Sequence, residues 1–176
     1  MSAKHLRFCG TVSNRGEAAG QLKESGDAVL IERGRPRLLL LSCPCGCGEE
    51  FPINLDSRVG PAWRLYRNAR TGMSLFPSVW RESGCRSHYI IWRNAILLFG
   101  RNDEEFDDTS PAADELDVLT KVVEDRLPAA GLVPFSELAE AVDAVPWDVL
   151  VVCRRLVRLG RVYEGTGKQR GEFGRV

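Results

Sequence analysis

The chain has 176 residues, 44% of them apolar, which allows one ordinary domain or two small ones and excludes wholesale disorder. Lys plus Arg equals Asp plus Glu at 24 each, so net charge points to no class of partner. Uninterrupted apolar runs such as Leu38–Leu41 are only a few residues long, which argues against a membrane span, and Met1-Ser2-Ala3-Lys4-His5 has no apolar signal core. A cytoplasmic protein without membrane contact is expected.

The neutral total hides three blocks. Residues 1–100 carry 14 basic and 8 acidic residues, 101–148 carry 3 and 14, and 149–176 carry 7 and 2. The shift near residue 101 predicts a boundary. We expect a β domain over 1–101, an acidic linker over 102–112 closed by Pro111, and a helical domain over 113–176.

In chain order, a short helix is possible near Glu17–Glu24. Strands are predicted at Ala28–Glu32 and Arg37–Cys43, separated by the turn residues Arg33-Gly34-Arg35-Pro36. Further strands follow at Glu50–Leu55, Trp63–Arg67, Ser74–Leu75, His88–Arg93 and Ala95–Phe99, with Asn94 in the last turn. This predicts a small antiparallel β domain with a thin core, which a metal would help to hold. Beyond the linker, a helix opens at Pro111 or Asp114 and runs to about Leu127. A second starts at Ser136, and a third runs from Pro146 to about Leu159, stopped by Gly160. Val162–Lys168 and Glu172–Val176 read as a hairpin. The whole is α+β: a zinc-binding β domain, then a winged-helix-like domain.

The third helix and the wing offer Arg154, Arg155, Arg158 and Lys168 for nucleic-acid phosphates. A structural or protein-binding role competes with that reading, because the first two helices are acidic.

Six cysteines occur, three of them in Cys43-Pro44-Cys45-Gly46-Cys47-Gly48 and a fourth in Cys85-Arg86-Ser87-His88. In a reducing compartment this clustering favours Zn2+ over disulfides. Cys43, Cys45, Cys47, Cys85 and His88 are five candidates for four tetrahedral places, and the sequence leaves the set open. Cys9 and Cys153 read as plain buried thiols.

These residues resemble the BubE-like family of bacterial ubiquitin-like conjugation operons. The pattern is Leu41-x-Cys43-x-Cys45-Gly46-Cys47-Gly48, Trp63-x-Leu65, Ser74-Leu75-x-Pro77-Ser78 and Cys85-Arg86-Ser87-His88-Tyr89-x-Ile91, within about residues 28–100. The resemblance implies a peptidase that matures a ubiquitin-like protein or removes it from conjugates, with E1-like and E2-like enzymes as operon partners.

Combined with the cysteines, it predicts a zinc-dependent peptidase. Such chemistry needs an open metal position, a proton shuttle and an oxyanion donor. Glu82 is a candidate shuttle, and Ser74, Ser78 and Ser87 offer hydroxyls. Trp80, Arg81 and Arg86 are candidate substrate contacts, the arginines for a carboxylate. A tetrahedral site rich in cysteine is usually structural, however, which weighs against metal catalysis. A nucleophilic Ser or Cys with His88 as base is a further option that requires His88 off the metal. The rival to an enzyme is a non-enzymatic zinc-binding adaptor or a winged-helix DNA-binding regulator.

Overall fold

The computed structural model describes residues 4–18, 20–99 and 116–176. The chain divides into two compact units, 1–104 and 105–176, each considered by itself. The expected linker over 102–112 and the start of the helix at Pro111 or Asp114 lie outside the described residues. Among the described residues no helix is long and apolar enough to cross a membrane.

The first unit holds two four-stranded sheets. One has the order β1 (Arg7–Val12), β2 (Asp27–Glu32), β3 (Pro36–Ser42), β4 (Glu50–Asn54), and a one-turn helix α1 (Arg15–Ala18) connects its first two strands. The other is the meander β5 (Arg64–Asn68), β6 (Gly72–Trp80), β7 (His88–Trp92), β8 (Ala95–Phe99). All pairings are antiparallel except β1 with β2. That exception was not foreseen: β1 alternates poorly and contains Gly10, so it reads as loop.

Side chains alternate across each strand, and this sorts the sheets into faces. Leu39, Leu41 and Ile53 of the first sheet meet Leu75, Val79, Tyr89 and Ile91 of the second in one buried cluster. Each such aliphatic side chain stabilises the fold by about 1.5–3 kcal/mol. The other face of the first sheet, through Val29 and Leu40, packs on Ala18 with Cys9, Val12 and Leu22.

At the β1–β2 junction the buried Asp27 carboxylate accepts hydrogen bonds from the Arg7 guanidinium (2.6 and 2.7 Å) and from the Lys23 and Glu24 amides (2.8 and 2.9 Å). These bonds, Arg7's first, hold its pKa near 2, below the usual 3.8. The stabilisation is therefore complete above pH 3.8 and is lost as the pH falls towards 2. Asp27→Asn is expected to cost about 2–4 kcal/mol, because it replaces one accepting oxygen by a donor NH2 and removes the charge that pairs with Arg7. The shift in urea midpoint at neutral pH measures this.

The β7–β8 turn uses Arg93 and Asn94, both at positive φ, as a two-residue hairpin requires. Asn94 Oδ1 also accepts the Met73 amide at 2.8 Å. A Cβ at Gly72 would sit 2.3 Å from the Asn94 amide nitrogen, so only glycine fits there.

The second unit runs α2 (Asp117–Arg126), β9 (Val133–Pro134), α3 (Phe135–Ala141), α4 (Pro146–Arg158), β10 (Val162–Glu164), β11 (Glu172–Arg175). Its small sheet has the order β10-β11-β9. Pro146 opens α4 at the first turn, where its missing N–H costs nothing. The fold as a whole is mixed α+β with mainly antiparallel sheets.

Candidate active site

Two neighbouring features occupy the first unit. One is built from the β3–β4 and β6–β7 connections. Gly46 and Gly48, both at positive φ, fold the Cys43–Cys47 segment back on itself. The turn is tied by Gly46 N–H to the Cys43 carbonyl (3.2 Å) and by Cys43 N–H to the Glu49 carbonyl (2.8 Å). Cys85 approaches from the other connection, and the four sulfurs of Cys43, Cys45, Cys47 and Cys85 all lie within 4.8 Å of one another. The Cys43 sulfur is 3.4 Å from that of Cys45 and 3.6 Å from that of Cys85. A tetrahedral zinc thiolate with bonds of about 2.3 Å has sulfur–sulfur edges of about 3.8 Å, so the residues fit such an ion.

The surroundings suit concentrated negative charge. Arg81 is buried and donates towards the Cys85 and Cys47 sulfurs at 3.4 and 3.8 Å. It pairs with Glu49 at 2.7 Å and lies over the Phe51 ring. Ser87, also buried, has its Oγ 3.2 Å from the Cys85 sulfur and 3.5 Å from that of Cys43. Burial opposes the Cys85 thiolate, but the Ser87 hydroxyl and amide bring its pKa down to about 6.

The second feature lies on the outer face of the β5–β8 sheet. Trp80, His88 and Phe99 stand directly opposite one another on β6, β7 and β8, so their side chains form a row across the sheet. The His88 ring stacks between the two aromatics, with centroids 5.5 Å from Trp80 and 4.5 Å from Phe99. Between Leu75 and Val79, β6 carries two residues more than β7. This bulge contains the cis peptide Phe76–Pro77 and ends at Ser78. There the Ser78 Oγ lies 3.0 Å from His88 Nε2, and the Ser78 carbonyl accepts the Trp63 indole N–H at 3.3 Å. Among the described residues this is the one hydrogen bond of the His88 ring.

Burial lowers the His88 pKa below its usual 6.5, so the imidazole is neutral at physiological pH and Nε2 can accept a proton. If His88 acts as a base, kcat/KM is expected to fall with unit slope on an acid limb centred below pH 6.5. An acid limb centred above 6.5 in a pH–rate profile would contradict this.

The other candidates fall elsewhere. His88 lies apart from the four sulfurs, because consecutive strand residues face opposite ways: Ser87 meets the cluster and His88 the outer face. Ser74 is buried and accepts the Arg93 amide at 3.0 Å. Glu82 and Arg86 are exposed in the β6–β7 connection. Arg81 is committed to the cluster, whereas Trp80 is 68% exposed beside His88. In the second unit Arg155 pairs with Asp117 at 2.6 Å, Arg154 is half-buried, and Arg158 and Lys168 are exposed. Cys153 is buried, and burial pushes its thiol up to about 12. Phe99 was not singled out from the sequence; its register opposite His88 is the signal that could have found it.

A hydroxyl held by a neutral imidazole is the chemistry of serine hydrolases, and here it sits apart from the sulfur cluster. Residues 15–99, slightly less than half of the chain, match the model of the family described as bacterial ubiquitination-like system serine protease (BubE). The resemblance read from the cysteine and Ser-His motifs therefore stands: this N-terminal region is similar to that family. Neither the curated proteins nor the solved structures gave a match.

The match corrects one expectation. The family is one of serine proteases, so the zinc-dependent peptidase mechanism is set aside. The physical reason is visible in the site: four sulfurs converge without His88, which leaves no open position for metal-bound water.

Proposed function

We propose that the first unit is a serine peptidase acting at the C-terminus of a ubiquitin-like protein, either on its precursor or on its conjugates. The observation that carries this reading is the 3.0 Å contact between Ser78 Oγ and His88 Nε2. Ser78 Oγ attacks the scissile carbonyl carbon while its proton passes to His88 Nε2. The imidazolium then returns that proton to the leaving amine, which departs and leaves an ester on Ser78. Water, deprotonated by His88, hydrolyses the ester and restores the pair. Trp80 and Phe99 hold the imidazole plane and limit its hydration.

Cys43, Cys45, Cys47 and Cys85 would hold a zinc ion whose contribution is structural. Its ligands cross-link the β3–β4 and β6–β7 connections, and the second of these leads directly into His88. Arg81 and Ser87 would donate to the thiolates. Six reduced cysteines suit the bacterial cytoplasm, and E1-like and E2-like enzymes are the expected companions of such a system.

We read the second unit, with its helix–strand–helix–helix–strand–strand order, as a winged-helix-like partner-binding module. The early part of α4, Pro146, Trp147 and Val149–Cys153, is buried, and Arg155 and Arg161 are engaged by Asp117 and Glu124. Two arginines of this face are thereby held by acidic partners within the unit, which supports this reading over a DNA groove.

The direct test is incubation with a ubiquitin-like protein carrying a C-terminal extension, followed by intact mass. Release of the extension at one bond is expected. An uncleaved substrate in the presence of folded, metal-loaded protein would overturn the reading.

A further inference from the structure

The nucleophile sits where one strand edge lacks a neighbour. Pairing between β5 and β6 ends with Arg64 opposite Phe76, whereas β6 continues to Trp80. Beyond Phe76, β6 therefore has β7 on one side and, among the described residues, no strand on the other.

The hydrogen-bond register shows which groups face that open side. Arg81 N–H donates to the Ser87 carbonyl at 3.0 Å, which makes Arg81 and Ser87 a hydrogen-bonded pair. In an antiparallel ladder such pairs alternate with pairs that share no hydrogen bonds. Val79–Tyr89 is therefore bonded, and Trp80–His88 is of the other kind. The N–H and C=O of Trp80 consequently point away from β7, towards the open edge. The Ser78 carbonyl faces the same side but already accepts the Trp63 indole. Trp80 thus presents one donor and one acceptor two residues, or about 7 Å, from the nucleophile.

We infer that the substrate binds as an extended strand on this edge, where one residue exchanges both backbone hydrogen bonds with Trp80 and thereby brings the scissile carbonyl to Ser78 Oγ. The inference rests on the Ser78 reading and specifies the ligand: an extended main chain, gripped independently of its side chains. The gripped residue lies on the acyl side, because the ester must stay in place after the leaving group departs. With two-residue spacing, it is the third residue counted back from the bond, the residue before the bond being the first.

The test uses N-acetyl-tetra-alanine boronate, whose boron adds reversibly to a serine oxygen, and three analogues N-methylated at the first, second or third residue from boron. Binding to the full-length, metal-loaded protein is followed by tryptophan fluorescence, and exchange of the Trp80 amide by NMR. Methylation at the third residue is expected to weaken binding at least tenfold, with the second position changed less than twofold. The Trp80 amide should exchange more slowly in the complex. The same pattern is expected in Trp80→Ala, which keeps the backbone and loses the ring. Equal effects at the second and third positions, an unprotected Trp80 amide in the bound complex, or loss of the pattern in Trp80→Ala would overturn the edge proposal alone. Failure of the parent boronate to bind would overturn the Ser78 reading, and this proposal with it.

Discussion

Ser78→Ala is expected to lower kcat by about 10⁴-fold or more while leaving the thermal midpoint within a few degrees of the parent. The Ser78 hydroxyl is the atom that would form the acyl bond, and among the described residues it is the hydroxyl that contacts the His88 ring. His88→Ala should cost a similar factor, since an unassisted hydroxyl is a weak nucleophile. The double variant should be little worse than either single one, because the two side chains act as one unit. Single-turnover cleavage of the extended ubiquitin-like substrate measures all three. Ser87→Ala is the informative contrast. Its hydroxyl touches the Cys43 and Cys85 sulfurs, so its loss should weaken metal retention and leave kcat of the loaded protein nearly unchanged.

Metal removal is the second large effect. Structural tetrahedral zinc contributes about 10–16 kcal/mol of apparent binding energy to small folding units, and here it would join two connections of a thin two-sheet domain. Chelation, or Cys85→Ser, is expected to destabilise the first unit by several kcal/mol. Because the ion would have no part in bond breaking, peptidase activity should decline in step with the far-ultraviolet circular dichroism signal. Activity lost while that signal is unchanged would contradict a purely structural ion.

Much of the fold was legible because its segments carry clear periods. Leu39 and Leu41 alternate with Leu38 and Leu40 between two packed layers, and Pro146 and Gly160 bracket α4 as helix punctuation. Of β6 the sequence predicts only Ser74–Leu75, because Pro77 and Ser78 look like a break; they form a bulge inside a nine-residue strand. β1 escaped because an edge strand with a central glycine leaves no alternation to detect.

The candidate site was legible as residues and not as partnerships. Ser78, His88 and the four cysteines all stood out. The spacing Cys85-x-x-His88, however, suggested a shared ion. Whether His88 faces the sulfurs or the outer surface depends on the parity of one strand position, which requires the β6–β7 register. That register sets Trp80 opposite His88 and places Ser78 within reach on the next diagonal.

The most direct measurement of the central claim is reaction of the native protein with a fluorophosphonate, followed by peptide mapping of the adduct. One adduct is predicted, on Ser78, formed at neutral pH and abolished in His88→Ala. An adduct on another serine, or none on folded protein, would contradict the assignment of Ser78 as nucleophile.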